Sequence, residues 1–536
     1  MTPARTAASV AAAFTAGCVL LGVEIAASRV LAPFFGNSLF VWGALIGVVL
    51  TGLSLGYWTG GALADRLPGP GLLLALLGLG GVSVAAIPLA DDRVLEAVVA
   101  WDPGPRLDPL LAAIVLFGPA SVILAGVTPA AVRLLTPSVA AVGRTAGRLF
   151  AVSTAGSIAG TFATAFWLVP ALGTDQLLAL GACALFAAAL VFAAAERLAV
   201  GACAALACLA FAVGTAVWLA PDSGGTVSGA AARNWSPVYR LQRDRGRPED
   251  APLGELRVVY RKESRYHRIT VVDDADSRFL RFDSSFQSGM YRRAPFRTRF
   301  AYTDYFDLGL AYDPAARRVL FVGLGGGSAP KRLWRDFPGV RIDVAELDPT
   351  VVDVARRYFA LPRSRRLRVT AEDGRLFLGK HGGPWDVIGI DAFFSDSIPF
   401  HLTTREFLEL VRSRLAPGGV VVTNVIGALS GDGSKLFRSL YRTYASVFPT
   451  VVVHPVYEKG PRRPGEVRNL ILVATDAAPP SAGFLAERWR RIRAAHPTAP
   501  DLGAAIRDRS ARPLRVDDVP ILTDDYAPTD ALLLEG

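Results

Sequence analysis

The chain has 536 residues, of which 51% are hydrophobic, and this length suggests about three domains rather than one core. Its formal net charge is +10, but no run of Lys and Arg interleaved with aromatic residues stands out, so we expect no nucleic acid partner. The four cysteines have no metal-ligand spacing and the five histidines form no HxxxH-like pair, so we expect neither a disulfide framework nor a metal site.

Residues 1–220 are predicted to form a transmembrane helical domain. This part contains apolar runs that reach the length of about 20 residues needed to cross a bilayer. There are seven such runs, at roughly 8–31, 38–63, 70–90, 109–135, 147–170, 175–195 and 198–220. The lipid bilayer is therefore an expected partner, and we expect a multi-pass protein of the bacterial inner (cell) membrane.

Small residues recur four positions apart in two of these runs, which predicts helix faces that pack closely. The glycines concerned are Gly43, Gly47, Gly52, Gly56, Gly60, Gly156 and Gly160. Glu24 lies inside the first run with Arg29 five residues later. A carboxylate there is either a functional group or one half of a structural ion pair.

The charges give two opposing signals on topology. Arg66, Arg133 and Arg197 mark alternate loops as cytoplasmic, which with seven spans would put the polar half outside. Several arginines between Arg233 and Arg247 follow the last run and favour the inside. We expect a cytoplasmic polar half, because the chemistry predicted below needs a cytoplasmic substrate pool.

A polar linker is predicted over 221–254, followed by a small β-rich lead-in over 255–315. Apolar and polar residues alternate in 256–260, 268–272 and 278–282, which predicts a small antiparallel sheet. Residues 298–310 are predicted to form a helix that leads into the next domain.

The last domain, 316–536, is predicted to be a doubly wound α/β fold organised around a glycine-rich loop. The apolar run 318–322 enters Gly323-Leu324-Gly325-Gly326-Gly327-Ser328, and a helix follows. A strand that ends in glycines and turns into a helix lets backbone N–H groups approach a ligand beside the positive end of the helix dipole. This is a nucleotide type of binding geometry, although glycine clusters also occur in ordinary turns.

Acidic residues follow the next strands at the edge where such sheets bind ligands. Glu346 ends the second strand about twenty residues after the glycines, where an acid can accept hydrogen bonds from two ribose hydroxyls. Asp373-Gly374 follows the third strand and could contact an adenine amino group, although Asp-Gly is also a common turn. Asp391 ends the fourth strand and should face the reacting group. No GxxxxGK[ST] sequence occurs, which disfavours ATP hydrolysis.

Motifs ahead of the glycine loop extend this pattern. The stretches 264–269, 280–288 and 300–304, together with Glu346, Asp373-Gly374 and Asp391, resemble the spermidine synthase family in order and spacing over about 255–475. The segment 391–402 looks like a signature of the membrane-fused members of that family. The sequence Gly60-Gly61-Ala62-Leu63-Ala64-Asp65-Arg66 resembles a loop of major facilitator transporters.

The resemblance implies a multi-pass α-helical membrane domain plus an α/β Rossmann-like domain of the S-adenosylmethionine methyltransferase type. It implies aminopropyl transfer from decarboxylated S-adenosylmethionine, as co-substrate, to a diamine, with no metal and with a homodimer as assembly. Asp391 would be the base, with Tyr302 assisting. The implied donor-binding residues are Gln287, Gly323, Gly325, Gly327, Ser328, Glu346, Asp373 and Gly374. The implied amine-binding acids are Asp304, Asp396 and Asp525.

Three positions depart from the family's pattern. Ser328 stands where the family usually has an Asp that binds the donor's ammonium, Thr303 where it has His or Gln, and Phe394 where it has a second acid. A lost charge-assisted hydrogen bond is worth roughly 1.5–3 kcal/mol. Two alternatives therefore stay open: a methyltransferase that uses intact S-adenosylmethionine, and a non-catalytic polyamine transporter or sensor.

Overall fold

The computed structural model describes residues 2–36, 38–104, 106–218, 226–227, 255–393, 398–431, 433–457, 464–510 and 514–534. The chain forms two compact units. One consists of Met1–Asp222 with Lys262–Arg265, and the other of Ser223–Arg261 with Tyr266–Gly536.

The first unit is helical. Within the described residues, six helices are long and apolar enough to cross a membrane: Pro3–Phe35, Leu39–Arg66, Pro70–Trp101, Leu107–Leu135, Val139–Leu168 and Thr174–Ala195. The segment predicted as a seventh span, 198–220, contains a shorter apolar helix, Ala199–Thr215, within the described residues. The count of seven spans therefore stays a prediction.

The predicted close packing of glycine faces is confirmed for part of the set. A Cβ at Gly56 would lie 2.3 Å from the carbonyl oxygen of Val122, and one at Gly160 would lie 2.0 Å from that of Cys18. Gly52, Gly60 and Gly156 are equally tight. Gly43 and Gly47 differ, because no described atom lies within 4 Å of a Cβ built there.

The second unit begins with a small antiparallel sheet. Its strands are β1 (Thr226–Val227), β2 (Leu256–Glu263), β3 (Arg268–Asp273), β4 (Ser277–Phe282), β5 (Ser285–Tyr291) and β6 (Ala294–Thr298), in that order across the sheet. The three strands predicted from alternation correspond to β2, β3 and β4. The strands β5 and β6 were not predicted.

The helix predicted over 298–310 is confirmed in part, because the segment is helical from Ala301 but most of it is not α-helical. The structure has a 3-10 segment, Ala301–Asp307, followed by one short helix, Leu308–Tyr312. The carbonyl oxygen of Thr303 accepts a hydrogen bond from the Arg332 side chain, so a tertiary contact uses a group that an α-helix would have paired internally.

A seven-stranded sheet forms the centre of this unit. Its strands are β7 (Arg318–Val322), β8 (Arg341–Glu346), β9 (Leu367–Ala371), β10 (Trp385–Ile390), β11 (Leu415–Gly427), β12 (Thr450–Pro455) and β13 (Arg468–Thr475). The order is β12-β13-β11-β10-β7-β8-β9, with β13 antiparallel to both of its neighbours and the remaining pairs parallel.

Helices cover both faces of this sheet, and each face carries its own buried apolar cluster. The helices are Ser328–Asp336, Pro349–Tyr358, Gly374–Lys380, Arg405–Ser413, Lys435–Val447, Ala482–Ala495, Gly503–Arg507 and Thr529–Leu534. Because β7 is buried on both faces, its sequence Val-Leu-Phe-Val is a continuous apolar run. The predicted Rossmann-like fold with a small preceding β-sheet is confirmed.

Candidate active site

The glycine loop leaves β7 at the point where the strand order reverses, between β8 and β10. Ligands of such sheets bind at this switch point. Gly323, Gly325 and Gly327 have φ values of +97°, +52° and +70°, which residues with a side chain rarely adopt. A Cβ at Gly323 would lie 2.1 Å from the carbonyl oxygen of Asp391. The loop therefore passes directly against the backbone of the predicted base.

The small sheet holds the loop from one side. The Oγ atom of Ser288 on β5 accepts a 2.8 Å hydrogen bond from the Gly326 N–H. Gln287, the predicted nucleoside ligand beside it, is the extra residue of a β-bulge between β4 and β5. Bulges redirect side chains and are common beside active sites. Ser328, half-buried, begins the helix that follows the loop.

Glu346, the predicted ribose acid, is buried at the end of β8 and is tied to the loop. Its Oε2 accepts from the Leu324 N–H and its Oε1 from the Asp348 N–H, both at 2.9 Å. Burial raises the pKa of this carboxyl, and the two backbone N–H groups oppose that rise. Each oxygen still has a lone pair for a further donor such as a ribose hydroxyl.

Asp391 follows β10 and lies in a polar chain. Its Oδ2 accepts from the Tyr302 hydroxyl at 3.3 Å and its Oδ1 from the Asn424 amide at 3.0 Å. The Asn424 oxygen in turn accepts from the Asn469 amide at 3.0 Å, which fixes the direction of the Asn424 group. The structure thus brings together both residues predicted as catalytic.

The electrostatics of this group suit a base. Burial raises the pKa of Asp391 to about 6, while the hydrogen bonds from Asn424 and Tyr302 lower it. Burial, and next the charge of Asp391, raises the pKa of Tyr302. At neutral pH the carboxylate is mostly ionised and the phenol keeps its proton, so the pair can accept one proton and donate one hydrogen bond.

A buried ion cluster holds the segment that carries Tyr302. Arg332, in the helix after the glycine loop, donates to both oxygens of Asp307 at 2.7 and 2.8 Å and to the Thr303 carbonyl at 3.2 Å. Its Nε lies 3.2 Å from Oδ1 of Asp304. Asp304 was predicted to bind the amine substrate. Its carboxylate is engaged by Arg332 and by the Thr298 hydroxyl, so that role stays a prediction.

Asp373 caps the helix Gly374–Lys380, because its Oδ1 accepts from the N–H groups of Arg375 and Leu376. Its Oδ2 lies 3.0 Å from His401 Nε2, and this hydrogen bond lowers the pKa of Asp373. Any adenine amino group would share this carboxylate with His401. Gly374 packs tightly below, because a Cβ there would lie 2.3 Å from Val322. The adenine contact stays a prediction.

A second ion pair secures the same edge. Arg375 makes two hydrogen bonds to Asp524, of 2.7 and 2.6 Å, and a third to the His401 carbonyl. This pairing with Arg375 lowers the pKa of Asp524 to about 2. The neighbouring Asp525, predicted to bind the amine, is exposed. Asp396, the other predicted amine ligand, lies outside the described residues.

Several residues of this site were not predicted. Four residues contact the predicted ones directly or through a neighbour: Asn424, Asn469, Ser288 and His401. The only sequence signal for them is their position within a motif or at the end of a strand. No group of three or more His, Cys, Asp or Glu side chains suited to a metal ion occurs in the part of the chain that the structure describes.

Comparison with known proteins adds three findings. Residues 300–472 match a family model described as "Spermine/spermidine synthase domain". The chain is 35% identical over 204 residues to the polyamine aminopropyltransferase of Vibrio vulnificus (strain CMCP6), covering 37% of this chain and 67% of that protein. It is 31% identical over 165 residues to the human eEF1A lysine and N-terminal methyltransferase, covering 28% of this chain and 22% of that protein.

A solved structure is similar as well. The crystal structure of a probable spermidine synthase from Corynebacterium glutamicum aligns with a TM-score of 0.38 and 23% sequence identity, covering 45% of this chain and 94% of that one.

Proposed function

This chain belongs to the spermine/spermidine synthase family of transferases, and from that membership we propose that it is a membrane-anchored aminopropyltransferase. The donor is decarboxylated S-adenosylmethionine and the acceptor is a diamine such as putrescine. The observation that carries this proposal is the Asp391 carboxylate with its Tyr302 and Asn424 hydrogen bonds, directly against the glycine loop.

The chemistry needs a group like Asp391. A diamine is protonated at neutral pH, and its nitrogen has no free lone pair until a proton leaves. Asp391 first binds the ammonium and then accepts its proton. The freed lone pair attacks the aminopropyl carbon next to the donor's sulfonium, a C–N bond forms, and the C–S bond breaks with its electrons going to sulfur. Methylthioadenosine leaves, and positioning in line supplies most of the rate.

The donor's nucleoside fits the residues on one side of this carboxylate. Glu346 would accept hydrogen bonds from the ribose hydroxyls, while its existing bond from the Leu324 N–H holds the glycine loop in place. Ser328 fits less well, because a hydroxyl offers the aminopropyl ammonium no charge. We therefore propose weaker discrimination between donors than an aspartate at this position would give.

We further propose that the polar half is cytoplasmic. Six spans would place the residues after Arg197 on the same side as Arg66 and Arg133, in agreement with the positive-inside rule. The same proposal includes three further predictions. They are the division of the chain into 1–220, 221–254, 255–315 and 316–536, the binding of the amine by Asp304, Asp396 and Asp525, and a homodimer.

A second candidate is a methyltransferase that uses intact S-adenosylmethionine. Two observations favour it: Ser328, and the similarity to a protein named as a methyltransferase. The nucleoside contacts would be the same. The helix that Ser328 begins could receive the carboxylate that decarboxylation removes, because its first N–H groups carry partial positive charge.

The two candidates give different products. The purified full chain is incubated with putrescine and either donor, and methylthioadenosine and S-adenosylhomocysteine are quantified. We expect methylthioadenosine from the decarboxylated donor, and we expect Asp391→Asn to abolish it while nucleoside binding stays within a few fold. Asp353→Asn, an exposed helix position, is the matched control.

The outcomes separate the readings. S-adenosylhomocysteine as the only product would establish the methyltransferase instead. Nucleoside binding without either product would leave a binding module of the transporter or sensor type. Equal loss of turnover and nucleoside binding in Asp391→Asn would show that Asp391 holds the donor and is not the base. Ser328→Asp is expected to raise the preference for the decarboxylated donor.

A further inference from the structure

A basic pocket lies at the far end of the central sheet from the glycine loop. It is a surface concavity of about 380 Å³ beside the edge strand β9, and the arginines that line it are Arg356, Arg363 and Arg368. Leu367 and Val369 supply its apolar part. Because β9 starts at Leu367, the pocket is at the amino end of the strand, whereas Asp373 follows its carboxyl end.

The charge in this region is not neutralised internally. Residues 351–371 contain six arginines and a single acid, Asp353. Arg366 is used structurally, because it donates to the carbonyls of Trp334, Phe337 and Val340. Within the described residues, the other five have no carboxylate within ion-pair distance: Arg356, Arg357, Arg363, Arg365 and Arg368.

This arrangement has the chemistry of a site for a phosphate group. Guanidinium groups bind phosphate through paired N–H donors, and three of them around one concavity can surround a tetrahedral anion. The Ser364 oxygen already accepts from the Arg366 N–H, so its own O–H is left to donate.

Single-stranded nucleic acid fits this pocket less well, because such ligands stack on exposed aromatic rings. Residues 351–371 contain two aromatic residues, Tyr358 and Phe359. Phe359 is buried, and the ring of Tyr358 packs against Tyr260 at a centroid distance of 5.4 Å.

We propose that the basic pocket binds a phosphate group, carried by an anionic lipid headgroup or present as free phosphate. Within the described residues, six helices are long and apolar enough to cross a bilayer, and the anionic lipids of a bilayer attract basic residues. The pocket is separate from the candidate active site, because ligands of these sheets bind at the carboxyl ends of the strands. The proposal does not depend on which group the enzyme transfers.

The test compares two variants of the full chain in neutral detergent. One carries Arg356→Gln, Arg363→Gln and Arg368→Gln. The control carries Arg490→Gln, Arg491→Gln and Arg515→Gln, which removes the same charge from side chains that are 75%, 79% and 74% exposed elsewhere. Thermophoresis measures binding of dihexanoyl phosphatidylglycerol, dihexanoyl phosphatidylcholine, inorganic phosphate and a short RNA.

We expect the pocket variant to bind phosphatidylglycerol about 100-fold more weakly, taking for each arginine the factor of about five that a basic residue contributes beside an anionic lipid surface. The control should stay within about twofold, and turnover should not change in either. The same loss for inorganic phosphate, without preference for the lipid, would identify free phosphate as the source.

Two results would overturn the proposal. One is equal binding of every anion by the pocket variant and the control. The other is a loss confined to RNA, which would make the cluster a nucleic acid surface.

Discussion

The hydrogen bond from Tyr302 to Asp391 makes a prediction that a pH profile can check. The Tyr302 hydroxyl is 3.3 Å from Oδ2 of Asp391, and it stabilises the ionised carboxylate. Tyr302→Phe removes only that hydroxyl. The pKa of Asp391 should then rise above its present value of about 6, and turnover should need a higher pH.

The distance sets the size of the shift. Hydrogen bonds to charged groups contribute about 1.5–3 kcal/mol, and 3.3 Å is long for an O–H donor, so the low end applies. About 1.4 kcal/mol corresponds to one pKa unit. The acidic limb of kcat/KM, which reports the free enzyme, should therefore move from near pH 6 to near pH 7.

In the wild type and in Tyr302→Phe, the acidic limb of the kcat profile should lie at a lower pH than the acidic limb of the kcat/KM profile. A bound diamine places an ammonium beside Asp391, and an opposite charge at that distance lowers the pKa of a carboxyl. The assay is release of methylthioadenosine by the full chain between pH 5 and pH 9.

The pH dependence of stability gives a second measurement, because the raised pKa of Asp391 determines its direction. Because the folded state raises the pKa of Asp391 from 3.8 to about 6, this group contributes stability below about pH 4 that is lost as the pH rises through 6. At pH 7 the ionised carboxylate costs up to about 3 kcal/mol, from two pKa units. Tyr302→Phe should therefore lower the melting temperature more at pH 8 than at pH 5.

Tyr444→Phe is the matched control. The Tyr444 hydroxyl pairs with the Thr423 hydroxyl at 2.6 Å, and its removal leaves the contacts of Asp391 intact. This variant should lose about 1 kcal/mol of stability and keep its acidic limb. A limb that does not move in Tyr302→Phe, or that moves to lower pH, would refute the assignment of Asp391 as the base.

Three further changes test the surrounding structure. Gly325→Ala should weaken binding of methylthioadenosine about tenfold, since a left-handed residue costs about 1–2 kcal/mol and its Cβ would lie 2.7 Å from the Ser288 oxygen; Gly379→Ala, in open space, should bind normally. Asp307→Asn leaves Arg332 without its bidentate partner and should lower the free energy of unfolding by about 3 kcal/mol in chemical denaturation. Arg491→Gln, which breaks an exposed pair with Glu487, should cost under about 1 kcal/mol. Arg375→Gln should lower the melting temperature slightly at pH 7, because the partly exposed Asp524 pair is screened. The difference from wild type should shrink as the pH falls towards 2, where Asp524 protonates and only the hydrogen bond to the His401 carbonyl is left; a difference that does not shrink would contradict this account.

The sequence predicted those site residues whose place depends only on the end of a single strand. The glycine loop, Glu346, Asp373 and Asp391 each lie at or just after the carboxyl end of a strand, and parallel strands bring these ends to one edge of the sheet. The fold class followed from the same alternation of strands and helices.

The missed residues depend on how distant strands are paired. Asn424 and Asn469 are 45 residues apart, and their contact exists because β11 and β13 are antiparallel in a register that pairs Asn424 with Ile471. A shift by one residue would turn one of the two amides to the opposite face of the sheet. No local pattern in the sequence specifies that register.

The glycine loop, predicted to bind the donor, and Asp391, predicted to bind the acceptor, are in direct backbone contact. Glu346 holds the Leu324 N–H, and the preceding Gly323 has no space for a side chain because the carbonyl of Asp391 is already there. Because Gly323 lies against the Asp391 carbonyl, we expect a movement of the loop to displace the backbone of Asp391 as well. This contact explains why the first glycine is needed even if it never touches the donor. Gly323→Ala should accordingly impair the positioning of Asp391 as well as nucleoside binding, whereas Gly325→Ala should act mainly on the nucleoside.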